Sequence, residues 1–200
     1  MQFTKASELT FDPRAQMAAI FAEGFYDQGI KFFSKDKAKL ARAFAHMFVL
    51  EGFYVALDGE TIMGFVGVAE KKPPPIKLDK RILVRELGFF RGRLAFWGLN
   101  RFSVNNPYPF EMDAQTASIE FVATAPAYRG RGVASRLMEY AMQDFAFSKY
   151  VLEVVDTNPG AISVYEKLGF VEFQRKPSPA PKRSGFNFFV YMRWGGDGVN

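Results

Sequence analysis

The chain has 200 residues, 48% of them hydrophobic and 24% charged, which suits one globular domain with a sizeable core. Cysteine is absent, and this excludes disulfides, thiol nucleophiles and cysteine-ligated metal sites. The only histidine, His46, stands in an apolar, helix-like stretch. We therefore expect a core or boundary residue there rather than a catalyst, and a histidine-rich metal site is excluded.

The formal net charge of +5 favours acidic ligands, whether phosphates, nucleic acid or a membrane surface. The first residues lack the apolar core of a signal peptide. No stretch approaches the ~18 consecutive apolar residues that a transmembrane helix needs. A cytoplasmic protein is the resulting expectation.

The first part of the chain predicts a strand followed by two helices. The strand covers residues 2–6, and the first helix runs from an N-cap at Asp12 to about Phe25. The second helix is predicted over residues 35–48 with Ser34 as its cap. Its apolar residues recur on one face: Leu40, Phe44 and Phe48.

A hairpin is predicted next. Two β-rich runs, residues 53–57 and 61–69, flank the pair Asp58-Gly59, which is a strong signal for a tight turn between antiparallel strands. Two glycines in the second run indicate a bulge or a close backbone approach: Gly64 and Gly67.

The segment 71–113 is basic and rich in aromatic residues. Residues 78–102 have a helical pattern, with interruptions expected at three glycines: Gly88, Gly92 and Gly98. Between residues 71 and 105, nine Lys or Arg stand against Asp79 and Glu86, a net charge of +7 that exceeds the charge of the whole chain.

The last third alternates strands and helices, which indicates a mixed α/β sheet when it follows antiparallel strands. The predicted elements are, in order, a strand at 119–124, a glycine-containing turn at 129–134, a helix to about Phe147, a strand at 150–155, a helix from Asn158-Pro159 to Gly169, and strands at 170–174 and 186–193.

The turn at 129–134 joins a strand to an amphipathic helix. Glycines let the backbone approach a ligand closely, and the first turn of a helix offers free N–H groups and a positive dipole end. Together they make a site for a diphosphate, with three arginines around it: Arg129, Arg131 and Arg136.

This turn has two other interpretations. One is a tight connection with solvated arginines. The other is a dinucleotide fingerprint, in which Gly130 and Gly132 fit, Ser135 takes the third glycine position, and Asp156 ends the next strand as a ribose-binding acid. The nicotinamide interpretation fits less well, because fewer than two further βα units follow and antiparallel strands precede the turn.

Residues 118–172 resemble the core of the GNAT (GCN5-related N-acetyltransferase) superfamily. The phosphate-loop pattern of that family, Gln/Arg-x-x-Gly-x-Gly/Ala, is matched by Arg129, Gly132 and Ala134. A second family element is matched by Asn158, Ala161 and the run Tyr165-Glu166-Lys167-Leu168-Gly169-Phe170. The earlier strands and helices agree with the family in order only.

The resemblance implies a mixed, mostly antiparallel central sheet with flanking helices and a splayed pair of parallel strands. It implies one acetyltransferase domain over residues 1–200, in which 71–113 is a helical insertion. The implied cofactor is acetyl-CoA, without a metal. The implied cofactor-binding residues are Val122, Ala123, Thr124, Arg129, Gly130, Arg131, Gly132, Val133, Ala134, Ser135, Asn158, Ala161 and Tyr165.

Three of these positions have a second interpretation or a departure from the family. Thr124 stands where the family has an aliphatic residue, and we expect little to follow because the contact is through backbone. Asn158 is also well placed as a helix N-cap before Pro159. Tyr165 is the candidate acid for the departing sulfur, or else a packed aromatic residue.

Glu120 is the candidate base that takes a proton from the attacking amine, or else a surface acid paired with a lysine. Strand alternation predicts that its side chain shares a direction with Ser118 and Val122. The expected reaction is direct attack by a primary amine on acetyl-CoA in a ternary complex.

The acceptor expected is a small-molecule amine, or less readily a peptide or protein amine, and no nucleic acid. The alternative function is a non-catalytic module that binds acyl-CoA and passes a signal to a partner. The insertion has four interpretations: a lid over the acceptor pocket, a peripheral membrane contact through 77–102, a homodimer contact, and a helix packed with its arginines in solvent.

Overall fold

Seven strands form one sheet in the computed structural model, which describes residues 1–70, 75–101, 108–179 and 181–195. The strands are β1 (Gln2–Lys5), β2 (Phe53–Asp58), β3 (Thr61–Ala69), β4 (Thr116–Thr124), β5 (Lys149–Val155), β6 (Val171–Pro177) and β7 (Phe188–Gly195). Their order is β1-β2-β3-β4-β5-β7-β6. Neighbours are antiparallel except β4 and β5, which are parallel. The expected mixed, mostly antiparallel sheet is confirmed.

Helices cover both faces of this sheet. They are α1 (Arg14–Gly24), α2 (Lys37–Phe44), α3 (Lys80–Leu87), α4 (Phe89–Leu99), α5 (Val133–Phe145), α6 (Pro159–Lys167) and the short α7 (Pro181–Ser184). The sheet separates two hydrophobic cores, and alternate residues of β2 enter different ones. Phe53 and Val55 pack with helices α1 to α4, whereas Tyr54 and Ala56 pack with α5 and α6. None of the described helices is long and apolar enough to cross a membrane.

The core under α1 and α2 contains many of the phenylalanines. Phe48 lies at the centre, with ring centroids 5.2 Å from Phe53 and 5.5 Å from Phe65. Phe21 contacts Phe44 at 5.6 Å, edge to face. Such edge-on pairs each add about 0.5–1.5 kcal/mol beyond the burial of their area. This core therefore accounts for much of the high phenylalanine content.

Helix α2 is shorter than the sequence pattern predicts. The side chain of Asp36, not Ser34, caps it by accepting a hydrogen bond from the Lys39 N–H. The Ser34 hydroxyl instead accepts from the Asp36 N–H, one step earlier. The helix ends at Phe44, and Phe48 has extended backbone, yet Phe48 still enters the core. An apolar repeat cannot show this, because a short 3₁₀ turn carries the side chain to the same side.

The segment between β3 and β4 carries a pair of helices, α3 and α4. Gly88, with φ of 86°, separates them as expected. The interruptions expected at Gly92 and Gly98 are wrong, since both residues lie inside α4. His46 holds the start of α3, because its Nε2 accepts a 2.9 Å hydrogen bond from the Asp79 N–H.

Two glycines of β3 permit close contact with β4, as expected. A Cβ at Gly64 would lie 2.7 Å from the Ala123 carbonyl oxygen and 3.2 Å from Cγ1 of Val133. A Cβ at Gly67 would lie 3.1 Å from the Glu120 carbonyl oxygen. The close approach of β3 and β4 at the centre of the sheet therefore requires glycine, which has no side chain, at both positions.

Candidate active site

A gap opens through the sheet between the two parallel strands. Their pairing ends at Ile119 and Leu152, although β4 continues to Thr124 and β5 to Val155. The strands therefore diverge at their carboxyl ends. In α/β sheets, ligands bind in such a crevice outside the carboxyl ends of the strands.

A bulge in β4 sets the direction of the side chains at this gap. One residue of β3, Val66, opposes two residues of β4, Phe121 and Val122. Phe121 has a φ of 51°, which is uncommon for a residue with a side chain. As a result, Val122 packs on the α5 side of the sheet, while Glu120 bonds to Tyr108 on the other side. The expectation that Glu120 and Val122 share a direction is therefore wrong, because the bulge interrupts the alternation between them.

The last residues of β4 offer one edge to the gap. Ala123 and Thr124 pair with β3 on one side. Their other side faces the position that β5 has left, so backbone groups there have no strand partner in the register. Unpaired strand edges bind extended ligands through main-chain hydrogen bonds. Val122, Ala123 and Thr124 thus lie where a linear ligand can follow the strand.

The glycine-containing loop lies directly after this edge and leads into α5. Gly130 and Gly132 both have a φ of 72°, in the left-handed region that favours glycine. The first intrahelical bond runs from the Arg136 N–H to the Gly132 carbonyl oxygen at 3.1 Å. The N–H groups earlier in this turn, those of Val133, Ala134 and Ser135 included, have no intrahelical acceptor, and no side chain caps them.

Space is left beside both glycines of the loop. Within the described residues, a Cβ at Gly130 would meet no atom within 4 Å, and one at Gly132 would meet only Nε of Arg136 at 3.8 Å. The loop thus presents N–H donors at the positive end of a helix, an arrangement that suits a phosphate group.

The three arginines of the loop differ in what they contact. Nε of Arg129 donates to the Thr124 carbonyl oxygen at 3.3 Å, so this side chain fixes the loop to the end of β4. The Arg131 guanidinium lies 5.5 Å from the Tyr128 ring centroid. Arg136 lies beside Gly132. Within the described residues, none of the three is ion-paired to a carboxylate, and all are exposed.

Helix α6 begins beside the diverging end of β5. Oδ1 of Asn158 accepts the Ala161 N–H at 3.2 Å, which confirms Asn158 as an N-cap. Tyr165, further along α6, is 7% exposed and packs in the same core as Val122 and Val133. Burial raises the pKa of its phenol, so the hydroxyl stays protonated near neutral pH.

A crevice of this shape, with a phosphate cradle at one end, agrees with the comparison to known proteins. The model of the Acetyltransferase (GNAT) family matches residues 16–170. This chain belongs to the GNAT family.

Solved structures show the same fold. An N-acetyltransferase from Staphylococcus aureus Mu50 superposes with a TM-score of 0.63 at 16% identity, covering 97% of this chain and 100% of the other. A GCN5-related N-acetyltransferase from Kribbella flavida superposes at 0.56 with 19% identity, covering 97% and 96%. An uncharacterized protein of Mycobacterium leprae (strain TN) is 33% identical over 101 residues, 50% of this chain but 26% of that protein.

In this GNAT domain, Glu120 lies at the mouth of the gap on the face opposite Tyr165. The Tyr108 hydroxyl donates a 2.8 Å hydrogen bond to Oε1 of Glu120. Burial first, and then the negative charges of Glu120 and Glu153, raise the pKa of Tyr108 well above its ordinary value. Glu120 therefore accepts a hydrogen bond from a buried phenol.

Glu153 and Tyr191 repeat this arrangement on the other side of the gap. The parallel pairing ends at Ile119 and Leu152. Glu120 is the next residue of β4 and Glu153 is the next residue of β5, so the two carboxylates flank the opening. Burial, then the charge of Glu153 and a hydrogen bond to it, raise the pKa of Tyr191. Three residues of this arrangement are not among those expected from the sequence: Tyr108, Glu153 and Tyr191. Alternation along β5 could have singled out Glu153, but nothing local identifies its partners.

A second opening lies at the amino ends of the same strands, on the far side from the glycine loop. It is a groove of about 530 Å³ lined by Thr116, Lys149 and Trp194 among others. At its rim, Nζ of Lys149 pairs with Asp113 at 2.9 Å. The GNAT features all lie at the opposite end of β4 and β5, so this groove is separate from the candidate active site.

Proposed function

We propose that this GNAT protein transfers an acetyl group from acetyl-CoA to a primary amine. The observation that carries the proposal is the glycine loop. It presents unpaired N–H groups at the start of α5, beside the free edge of β4 and the gap in the sheet. Few ligands other than a diphosphate joined to an extended chain need all three features together.

The residues of the site fit such a cofactor. The N–H groups of residues 130–135 bind the pyrophosphate, and Arg131 and Arg136 neutralise its charge. Arg129 supports the loop through its bond to Thr124. The backbone of residues 122–124 bonds the pantetheine arm, and the start of α6 at Asn158 and Ala161 closes the other side of the crevice.

The two candidate catalytic groups approach from opposite faces of the sheet. Acetyl-CoA supplies an acetyl group that is activated as a thioester. Glu120 accepts the proton that the amine loses as its nitrogen bonds to the acetyl carbon, and Tyr165 donates a proton to the sulfur as the carbon–sulfur bond breaks. The gap joins the two faces, so direct attack requires no covalent intermediate on the protein.

The acceptor is a small amine that reaches the gap from the Glu120 face. Glu120 and Glu153 give this mouth negative charge, which attracts an ammonium group before it is deprotonated. This contrasts with the loop face, where Arg129, Arg131 and Arg136 are exposed. The two substrates thus carry charges suited to their own sides of the sheet.

Calorimetric titration with acetyl-CoA, with NAD as the control ligand, tests the proposal. Saturable binding should be lost in Gly132→Leu and kept in Gly59→Leu. Both glycines have a left-handed φ, 72° at Gly132 and 59° at Gly59, so the two variants carry similar backbone strain. Binding of NAD in place of acetyl-CoA by folded protein would overturn the assignment.

Turnover is then measured by release of free CoA thiol across a panel of small amines. The chain has no cysteine, so a thiol reagent gives no background from the protein. Acetyl-CoA binding without turnover of any amine or peptide would leave the non-catalytic acyl-CoA-binding module as the function.

A further inference from the structure

Helix α4 buries small residues and exposes four of its large apolar residues, although Phe96 and Leu99 pack against the core. An ordinary surface helix turns its large apolar side chains toward the core instead. Gly92 and Ala95 are buried, with Ala95 at 0% exposure. Phe90 is 84% exposed and Trp97 is 60% exposed. Large apolar side chains contribute to stability only where they leave water, so the fold gains little from them in this arrangement.

The packing of α4 on α3 explains why these side chains cannot turn inward. A Cβ at Gly92 would lie 2.5 Å from the Leu83 carbonyl oxygen and from Cα of Val84. The backbones of the two helices are therefore in close contact, with no room for a larger residue between them. Phe90, Leu94 and Trp97, spaced four and three residues apart, then form one outward stripe.

Positive charge surrounds this stripe. Arg91 and Arg93 are exposed on the same helix, and the Arg93 guanidinium lies 5.3 Å from the ring centroid of Phe89, itself 60% exposed. We call these residues the α4 face: Phe89, Phe90, Arg91, Arg93, Leu94 and Trp97.

The acidic side chains of the two helices do not offset this charge. Glu86 is 20% exposed and contacts Arg42 and Arg85. Asp79 accepts hydrogen bonds from the Arg81 and Ile82 N–H groups at the start of α3. Both carboxylates are thus engaged within the fold, and the α4 face is basic as well as apolar.

We propose that the α4 face docks on an anionic phospholipid surface. Phenylalanine, leucine and tryptophan insert at the boundary between headgroups and acyl chains, while arginines extend to the phosphates. The combination fits this partner better than a second copy of the chain. A two-fold contact through α4 would place this basic face against itself, and the carboxylates described on α3 and α4 are already engaged within the fold.

Vesicle flotation tests the proposal. Wild-type protein is mixed with vesicles of phosphatidylcholine alone or of phosphatidylcholine with 30% phosphatidylglycerol, about the fraction used to mimic an anionic surface. Binding to the anionic vesicles is expected to exceed binding to the neutral ones by at least tenfold and to weaken as salt is added. Equal recovery with both vesicles, or no binding to either, would overturn the proposal.

Two double variants separate the apolar and the charged contributions. Phe90→Ser with Trp97→Ser, and Arg91→Gln with Arg93→Gln, should each reduce anionic-vesicle binding about tenfold or more. The matched controls are Val171→Ser, an exposed apolar residue on β6, and Lys176→Gln with Lys182→Gln. Equal losses in variants and controls would show that general charge or folding, not the α4 face, governs binding.

Insertion depth gives a direct readout. In a Trp194→Phe background, Trp97 is the remaining tryptophan, because the chain has two. A blue shift of its emission and quenching by brominated lipid are expected with anionic vesicles. Sedimentation velocity completes the test. If the wild-type protein is a dimer that dissociates in the Phe90→Ser, Trp97→Ser variant, and if it does not bind vesicles, the α4 face is a contact between copies. That result would refute the lipid proposal.

Discussion

The hydroxyl of Tyr108 donates a 2.8 Å hydrogen bond to Oε1 of Glu120, at the point where β4 and β5 begin to diverge. Tyr108 is only 8% exposed and stacks on Phe110, with centroids 5.1 Å apart. A donor in so fixed a position favours the ionised carboxylate and holds one of its oxygens. In the proposed reaction, this carboxylate accepts the proton that the attacking amine loses.

Removal of this hydroxyl in Tyr108→Phe should move the acidic limb of the kcat/KM profile to higher pH. The hydrogen bond stabilises the carboxylate, and bonds to charged groups contribute about 1.5–3 kcal/mol. At 1.36 kcal/mol per unit, a shift of about one to two pH units is expected. The measurement is the rate of CoA release between pH 5 and 9.

The control for this prediction is Tyr191→Phe. Tyr191 is also buried, and its hydroxyl serves Glu153 rather than Glu120. The acidic limb of the kcat/KM profile of Tyr191→Phe should stay close to that of the wild type. An unchanged profile in Tyr108→Phe, in an enzyme that Glu120→Gln inactivates, would contradict the positioning role of Tyr108.

Tyr165→Phe should lower kcat by about 10²–10³-fold, since general acid catalysis contributes 10²–10⁴-fold in enzymes. The ring remains in the core beside Phe170, so folding and acetyl-CoA affinity by calorimetry should change little. Tyr150→Phe removes the hydroxyl of another buried tyrosine, which donates to the Met142 carbonyl oxygen at 2.7 Å. A fall in kcat that is the same in both variants would argue against an acid role.

Gly64→Ala should destabilise the fold by about 1–3 kcal/mol, the usual cost of an overpacked site. The added methyl would meet the Ala123 carbonyl oxygen at 2.7 Å, and backbone cannot move aside there as a side chain tip can. Gly160→Ala is the matched control, because its Cβ would meet only Oδ1 of Asn158, at 4.0 Å. Urea denaturation monitored by circular dichroism gives both values, and similar midpoints would refute the expected clash.

His46 should titrate below its ordinary pKa of 6.5, because burial penalises the imidazolium. Its Nε2 accepts the Asp79 N–H, which also requires the neutral ring. Below pH 6.5 the unfolded chain binds a proton that the folded one does not, so stability falls as pH drops through this range and is retained above it. The chain has one histidine, so a single resonance in an NMR titration reports the value. A midpoint at or above 6.5 would contradict the prediction.

The sequence predicts the glycine turn before α5 and the start of α6 well, because the conformation of both depends on local chemistry. Glycines at positive φ, a helix N-terminus and an asparagine cap are all readable from neighbouring residues. The bulge at Phe121 is not, since it arises from the register between β3 and β4 and places a phenylalanine at a φ of 51°. The wrong expectation that Val122 shares the direction of Glu120 follows from this one residue.

Partners distant in the chain are also beyond local patterns. Tyr108 reaches Glu120 only because the chain between β3 and β4 returns to the sheet beside β5, where Tyr108 meets Val151 and Tyr191. Likewise, a helical repeat predicts α4 but not which side faces water. Gly92 reveals the inward side once the distance to α3 is known.

The short pairing of β4 with β5 has a consequence for the sheet as a whole. Only four residue pairs, from Thr116 with Lys149 to Ile119 with Leu152, join one antiparallel leaf, β1 to β4, to the other, β5 to β7. Main-chain hydrogen bonding across the middle of the sheet is therefore short. An extended molecule lying along the open edge of β4 would supply the hydrogen bonds that a longer strand pair would have made. The ligand would act as an additional strand, and the native sheet would be complete only in the bound state.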